Sequence, residues 1–446
     1  MTEQSALARI YALPRFCGGE RSLEPLRRLL SLLGEPQRAT RFVHVAGTNG
    51  KGSVSTMTAA VLTAAGYRVG LYTSPYINTF RERFQIDGRV VGVPAFLSAF
   101  RAVFAALAKL GADERERLSQ FDVVTAIGLL LFAEEKCDIV VLECGLGGRL
   151  DATNVIDAPL VSALTNIGYD HTDVLGDTIE AITAEKCGIL KRGVGCAVLA
   201  PQDYEGAVAV FDRAALLLEI PTRAAHLADI ALTRVGFGSL GFTYKGRAYR
   251  TRLAAPYQAK NAATALEILF ALRELGYNIP DAAIERGLLR AFIPARLELC
   301  SLCPNVLLDG AHNPDGVRAL ANTMEILSEQ YRRLFCLVGV LEDKNPRATL
   351  SAFFSSPLLC ERIGGVATIA PRSERAASAE EVSSLLGEML PHVSVCAFLD
   401  AKEALCSLFR KMEEGDLLLA FGSLYSMGEL REILATLVKE LSTNAD

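Results

Sequence analysis

No apolar run in this 446-residue chain reaches membrane-spanning length. The opening residues, MTEQSALARIYAL, lack the basic start and long apolar stretch of a secretory signal. Both absences lead to the expectation of a cytoplasmic protein with no membrane partner. A basic stripe is missing too: the formal charge is −5 with acids and bases interspersed, which argues against a nucleic-acid partner and leaves any anionic ligand to local groups. Histidine is scarce, at five residues. The eleven cysteines are an odd number scattered through apolar segments, as at Cys137, Cys144 and Cys336, the usage of reduced thiols. Cys300 and Cys303 form a C-x-x-C, but no second pair stands at zinc-ribbon spacing, and His312 downstream belongs to another motif. Two half-buried thiols are therefore expected there, not a metal site. Repeats of fixed period and low-complexity segments are also lacking.

Half of the residues are apolar and 22% are charged, an ordinary globular composition. The length exceeds what one core usually organises, so two domains are expected. From Arg41 onward, short β-branched runs alternate with longer amphipathic stretches, the signature of a mostly parallel sheet covered by helices, and so of an α/β fold. Strands are expected at Phe42 to Ala46, Val69 to Thr73, Ile139 to Glu143 and Leu160 to Thr165, with helices from Ser53 to Ala65 and Asp122 to Glu135. A second series starts near Asn305: strand Val306 to Asp309, helix Pro314 to Glu329, strand Leu334 to Val338, a helix from Pro346, strand Val366 to Ala370 and strand Leu417 to Phe421. Pro294 places the boundary between the series, since proline disfavours helix continuation. A nucleotide cleft between two domains is the matching expectation.

The run FVHVAGTNGKGSVSTMTAAVL reads as strand, glycine-rich turn and helix. Glycines let backbone N–H groups converge on phosphate oxygens, the helix N-terminus adds its dipole, and a lysine neutralises the outer phosphates. Thr48, Asn49, Gly50, Lys51, Gly52 and Ser53 are the candidate triphosphate contacts, with Lys51 as the charge. The strict G-x-x-x-x-G-K-[ST] spacing fails, because Val45 stands at the first glycine position and Gly52 follows the lysine. A glycine-rich turn with an incidental lysine is the plain structural alternative.

Beyond the loop come TSPYINTFRERFQIDG, LECGLGGRLDATN, DHT, AEKCGIL, QAKNAATAL, LLDGAHNP and GSLY. In this order the motifs resemble those of folylpolyglutamate synthase, including its bifunctional dihydrofolate synthase members, within the Mur ligase superfamily. The resemblance spans nearly the whole chain. It implies a P-loop-containing, Mur ligase central-type domain with a mostly parallel sheet over residues 1–293, then a smaller Rossmann-like α/β domain over 297–446. The implied activity is ATP-dependent ligation of L-glutamate to reduced folates, and to dihydropteroate, through an acyl phosphate. A monomer acting on small molecules is the implied assembly.

The resemblance also assigns residues. Glu143 ends an apolar strand, where a carboxylate is misplaced as core but well placed at a ligand edge, and becomes a magnesium ligand. Ser74, otherwise a turn cap, becomes the hydroxyl ligand of a first magnesium. His171, otherwise structural, becomes a ligand of a second magnesium shared with Glu143. Lys186, otherwise a helix lysine paired with Glu180 or Glu185, is implied to be carbamylated by carbon dioxide and, with Lys51, Glu143 and His171, to be catalytic; such a reaction needs an amine whose pKa is lowered. Asn261 is implied near the adenine, Arg296 at a phosphate, and Asp309 and His312 at ATP. Ser119, Gln120, Phe121, Leu150, Asp151 and Ala152 match the segments that line the pterin pocket. Arg81, Arg83 and Arg149 could attract a glutamate tail.

Three departures from the family pattern concern the acceptor side and the segment between the domains: Gln120 and Asp122 flank Phe121 in place of an aromatic and Glu, Tyr76 replaces a histidine, and Ala295 replaces a glycine. A peptidoglycan-type Mur ligase would carry a folded domain ahead of the loop, whereas only about forty residues precede Gly47. The alternative from another class is a P-loop kinase or nucleotide switch, which would need no glutamate.

Overall fold

The segments Phe42–Ala46 and Ile139–Glu143 are buried along their whole length, so they can sit only in the middle of a sheet covered on both faces. The computed structural model, which describes residues 1–15, 21–302 and 304–443, places them there. Cys303, the second half of the C-x-x-C, lies outside the described residues; Cys300 is a half-buried free thiol whose pKa burial pushes up to about 12.

The chain divides into two compact units. The first comprises Met1–Ala231, Thr243–Tyr249 and Lys260–Ala291; the second comprises Leu232–Phe242, Arg250–Ala259 and Phe292–Asp446. In the first, eight strands form one sheet: β1 (Arg41–Ala46), β2 (Val69–Tyr72), β3 (Phe84–Ile86), β4 (Arg89–Val90), β5 (Ile139–Glu143), β6 (Val161–Leu164), β7 (Cys196–Leu199) and β8 (Thr222–Ala224). Their order is β4-β3-β2-β5-β1-β6-β7-β8. The six from β2 to β8 in that order run parallel, while at the edge β3 is antiparallel to both β2 and β4. That hairpin was not among the expected strands; its three- and two-residue strands are too short to leave a periodic signal.

Strands β9 (Ile230–Gly236), β10 (Ser239–Tyr244) and β11 (Arg247–Thr251) form a separate three-stranded sheet. In the second unit, β12 (Glu298–Leu302), β13 (Asn305–Leu308), β14 (Leu334–Val338), β15 (Ile363–Thr368), β16 (Val395–Ala397) and β17 (Leu417–Phe421) are ordered β12-β13-β17-β14-β15-β16. All neighbours are parallel except β12 and β13. β15 begins three residues before the expected Val366. Gly364 permits this, because a Cβ there would lie 2.6 Å from the Phe335 ring on the neighbouring strand.

Helix packing in the first unit depends on similar close approaches. The Asp281–Arg290 helix lies on the Lys51–Ala64 helix with Gly287 against the backbone of Val61; a Cβ at 287 would fall 2.3 Å from Val61 Cα and 2.6 Å from its nitrogen. Backbone cannot rotate aside as a side chain can. Gly287→Ala is therefore expected to destabilise the protein by about 1–3 kcal/mol despite the better helix propensity of alanine, measured by urea denaturation; an unchanged or raised midpoint would refute this packing account.

Candidate active site

β1 is central, and β5 and β6 flank it in parallel register, with Val45 beside Glu143 and Ala46 beside Leu164. The chain leaves β1 toward β2 on one side and later crosses to β6 on the other. The carboxyl ends of these strands therefore border the crevice where open parallel sheets bind ligands. Three chain segments emerge there: the glycine-rich turn after β1, the 144–155 loop after β5 and the 165–171 segment after β6.

The turn is pinned from the β6 side. The Thr48 and Asn49 N–H groups both donate to the Asn166 carbonyl (3.0 and 3.1 Å), while the Thr48 hydroxyl donates to the Gly168 carbonyl and accepts its N–H, each at 3.1 Å. Gly47 (φ +148°) presses so closely on Thr165 that a Cβ would lie 1.8 Å from the Thr165 hydroxyl. Gly50 (φ +92°) leaves no room either, since a Cβ would lie 2.3 Å from Asn261 Oδ1. The helix after it starts at Lys51, two residues earlier than expected, because left-handed Gly50 turns the chain directly into it. No side chain caps this N-terminus, so its first N–H groups and dipole face the crevice. Ser53 is buried in the first turn.

Two lysines end on one atom. Lys51 Nζ donates to the Gly47 carbonyl at 3.0 Å and to that of Thr48 at 3.1 Å, and Lys186 Nζ donates to the same Gly47 carbonyl at 2.8 Å. Lys186 is buried near the end of the Ile179–Cys187 helix, not paired on the surface. Desolvation, then the proximity of Lys51, lowers its pKa to about 8. Glu143 is buried at the end of β5, accepts the Ser74 N–H at 3.1 Å, and stands over the first helical turn, 3.7 Å from where a Cβ of Gly52 would be. His171 is the exposed residue ahead of the Thr172–Leu175 helix, left-handed at φ +50°, with its ring 3.7 Å from the Asp170 carboxylate. The contacts that tie this segment to the turn run through Asn166 and Gly168.

The segments expected to line the pterin pocket also meet. Ser119 caps the Gln120–Glu134 helix, its hydroxyl donating to Asp122 at 2.5 Å, and the Gln120 N–H donates to the Pro14 carbonyl. Phe121 lies against Gly145, where a Cβ would meet its ring at 2.6 Å. Asp151 is buried and accepts the N–H groups of Gly145, Leu146 and Thr153 and the Thr153 hydroxyl, so its carboxylate shapes the 144–155 loop from within. Leu150 is half-buried and Ala152 fully buried.

His44 was missed in the sequence. Fully buried on β1, it bonds Thr153 Oγ1 (2.8 Å) and Cys144 Sγ (3.1 Å), and burial pulls its pKa down to about 3, so it is neutral. It joins β1, which leads into the glycine-rich turn, to the 144–155 loop. A histidine inside the apolar run FVHVA was the available signal.

In the second unit, Arg296 sits between two left-handed residues, Ala295 (φ +51°) and Leu297 (φ +46°). The Ala295 N–H donates to Glu298, its carbonyl accepts from Gly310, and the Leu297 N–H donates to Asp309 at 2.7 Å. Asp309 also accepts from Ala311 and is buried, which raises its pKa. It holds the Arg296 segment in shape. His312 Nδ1 is 2.8 Å from the Gly310 carbonyl.

Comparison with known proteins places both parts of the chain among the Mur ligases. Residues 45–269 match the Mur ligase middle domain, and 295–424 match the Mur ligase, glutamate ligase domain. A dihydrofolate synthase/folylpolyglutamate synthase of Bacillus subtilis is 37% identical over 332 residues, 72% of this chain and 76% of that protein. The folylpolyglutamate synthase of Thermotoga maritima superposes with a TM-score of 0.84 at 30% identity, over 97% of this chain and 96% of that one. The Mycobacterium tuberculosis folylpolyglutamate synthase complexed with ADP and AMPPCP gives 0.82 at 29%, over 97% and 98%.

Two glycines make the turn testable. Gly50→Ala is expected to weaken ATP binding at least tenfold by calorimetry, because its Cβ collides with Asn261 in a left-handed backbone. Gly66→Ala, equally left-handed (φ +97°) but with open space around it, should cost about 1 kcal/mol of stability and leave binding intact. Equal effects on binding would show that the turn geometry is unimportant.

Proposed function

We infer the activity from one premise: the chain belongs to the folylpolyglutamate synthase family of Mur ligases. On that premise it is an ATP-dependent ligase that joins L-glutamate to a folate, and to dihydropteroate, through an acyl phosphate. The observation that carries this reading is the meeting of Lys51 and Lys186 on the Gly47 carbonyl, beside a helix N-terminus overlooked by Glu143.

Amide formation from a carboxylate and an amine is uphill in water. In the proposed sequence an acceptor carboxylate oxygen attacks the γ-phosphorus of ATP, the bond to the bridging oxygen breaks, and ADP leaves. The neutral amine of glutamate then attacks the acyl carbon, and the tetrahedral intermediate expels inorganic phosphate, leaving an amide and a proton. The turn's N–H groups and Thr48 to Ser53 hold the phosphates, and Lys51 offsets the charge that gathers on the transferred group. The 144–155 loop and Ser119 to Phe121 hold the acceptor, with Asp151 fixing the loop. Asn261, Arg296, Asp309 and His312 stay proposed nucleotide contacts: Asn261 in the proposed 1–293 domain, Asp309 and His312 in the 297–446 domain, and Arg296 in the short segment between those ranges.

Magnesium fits the donor set. Among the described residues no three His, Cys, Asp or Glu side chains cluster as a protein-only cage. A magnesium ion needs none, since it keeps waters and phosphate oxygens and takes one or two protein oxygens. Glu143 and Ser74 would supply the oxygens for one ion, and Glu143 with the imidazole of His171, an unusual partner for so hard an ion, would hold a second. When bound, the ions supply positive charge to the phosphate oxygens.

For Lys186, the amine with a lowered pKa is the form that carbon dioxide carbamylates, and burial protects the product. We take the protein to act as a cytoplasmic monomer; among the described residues no helix is long and apolar enough to cross a membrane. A kinase or nucleotide switch is disfavoured by the match of the second unit to a glutamate ligase domain.

Purified protein with ATP, magnesium and either tetrahydrofolate or dihydropteroate should release phosphate only when glutamate is added; glutamate-independent release would favour the switch. Lys51→Ala and Glu143→Ala should each lower product at least about 100-fold with either acceptor, and near-normal turnover in both would remove the site assignment. For Lys186, a pKa near 8 means a mainly protonated amine at pH 7 and a mainly neutral one at pH 9. At fixed dissolved carbon dioxide, carbon-labelled carbamate seen by NMR should therefore grow in faster at pH 9, and be absent in Lys186→Met. No carbamate at either pH would refute it.

A further inference from the structure

The three arginines near the acceptor segments do not stand alike. Arg81 is paired with Glu3 at 2.8 Å, and Arg149 with Glu185 at 2.9 Å. Arg83 has no carboxylate partner among the described residues. Its guanidinium is stacked over the rings of Tyr76 (5.3 Å) and Phe80 (5.5 Å), and its Nε is buried without a hydrogen-bond acceptor. A cation partly withdrawn from water with a donor unused is costly until an anion arrives.

Its mount is held by hydrogen bonds and tied to the site through the backbone. Glu82, the adjacent carboxylate, is turned to the N–H groups of Ile77, Asn78 and Thr79 and so fixes the loop rather than neutralising Arg83. The Arg83 carbonyl accepts the N–H of Thr73, next to Ser74, which bonds Glu143. Tyr76, present where the family has histidine, is held by a 2.7 Å hydroxyl–hydroxyl bond to Tyr11. On the same strand end, Tyr72 lies against Phe121 of the acceptor segment, with ring centroids 6.1 Å apart.

We propose that Arg83 binds the α-carboxylate at the end of the acceptor's glutamate tail. This rests on the ligase reading above and deepens it. A planar guanidinium with unspent donors matches a carboxylate in two-point contact. The phosphates already have the turn, and the carboxylate to be activated must lie at the γ-phosphate. The remaining anionic group near the reacting end of a folate is the α-carboxylate, and dihydropteroate has none. Arg83 is thus a specificity residue that favours folates and leaves dihydropteroate unaffected.

The test compares tetrahydropteroylglutamate with tetrahydropteroyl-γ-aminobutyrate, which keeps the reacting carboxylate and lacks only the α-carboxylate. Wild type should show at least a tenfold lower KM for the glutamate tail. Arg83→Met, which keeps the apolar stem over the rings, should remove that preference by raising the KM for the glutamate tail alone. Arg83→Lys should restore part of it, and kcat/KM for dihydropteroate should match wild type in both variants. An equal loss for both tails, or a wild type indifferent to the α-carboxylate, overturns the proposal. Absence of ligation with every acceptor in wild type would instead sink the ligase reading.

Discussion

Two ammonium groups share the carbonyl of Gly47, and the site is organised around keeping them there. At the separation this allows, like charges repel by something on the order of 3 kcal/mol at the effective dielectric of a protein site. Helix, turn and sheet hold them against that repulsion. The Ile179–Cys187 helix brings Lys186 in, buried, and the Lys51 side chain folds back over its own turn onto the Gly47 and Thr48 carbonyls. A polyanion bound beside them would offset that repulsion, and the proposed carbamylation of Lys186 would remove it by replacing one ammonium with an anion. Electrostatic preorganisation of this sort is worth most where water is excluded.

The buried carboxylates divide into two kinds. Asp151 accepts backbone N–H groups two, five and six residues away and Asp309 those two and twelve residues away, and each fixes the path of the chain that presents other side chains. Glu143 projects from a strand end over the first turn of the helix that follows the phosphate loop. Burial raises the pKa of both aspartates, but several N–H donors oppose that shift and favour the charged form. A loop built on a buried carboxylate is stiff, which suits segments that must hold an acceptor and a phosphate in line.

Much of this was legible in the sequence, for identifiable reasons. Strands such as Ile139–Glu143 are continuous apolar runs, and the turn at Gly47 to Ser53 carries glycines where left-handed backbone and close approach are required. What was hidden is the direction of side chains. Nothing in LECGLGGRLDATN distinguishes an aspartate that faces a ligand from one folded back on its own loop, and the structure folds Asp151 back. His44 was hidden by its apolar surroundings, since its partners, Thr153 and Cys144, lie about a hundred residues away. Likewise Arg81, Arg83 and Arg149 look alike in sequence, and only tertiary pairing among the described residues separates the two with a carboxylate partner from Arg83.

The segment around Arg296 shows how a departure from the family pattern can be absorbed. Glycine visits the left-handed region freely, whereas alanine and leucine there cost roughly 1–2 kcal/mol each. Ala295 and Leu297 both adopt it. Such strain persists only where surrounding bonds over-determine the backbone, and here the N–H of each is taken by a carboxylate, Glu298 for one and Asp309 for the other, while Gly310 bonds the Ala295 carbonyl. Arg431 in turn holds Glu298 at 2.9 Å. The left-handed path at Ala295 and Leu297 is thus held by those carboxylates, and the presentation of Arg296 is tied to Asp309 through the backbone N–H of Leu297.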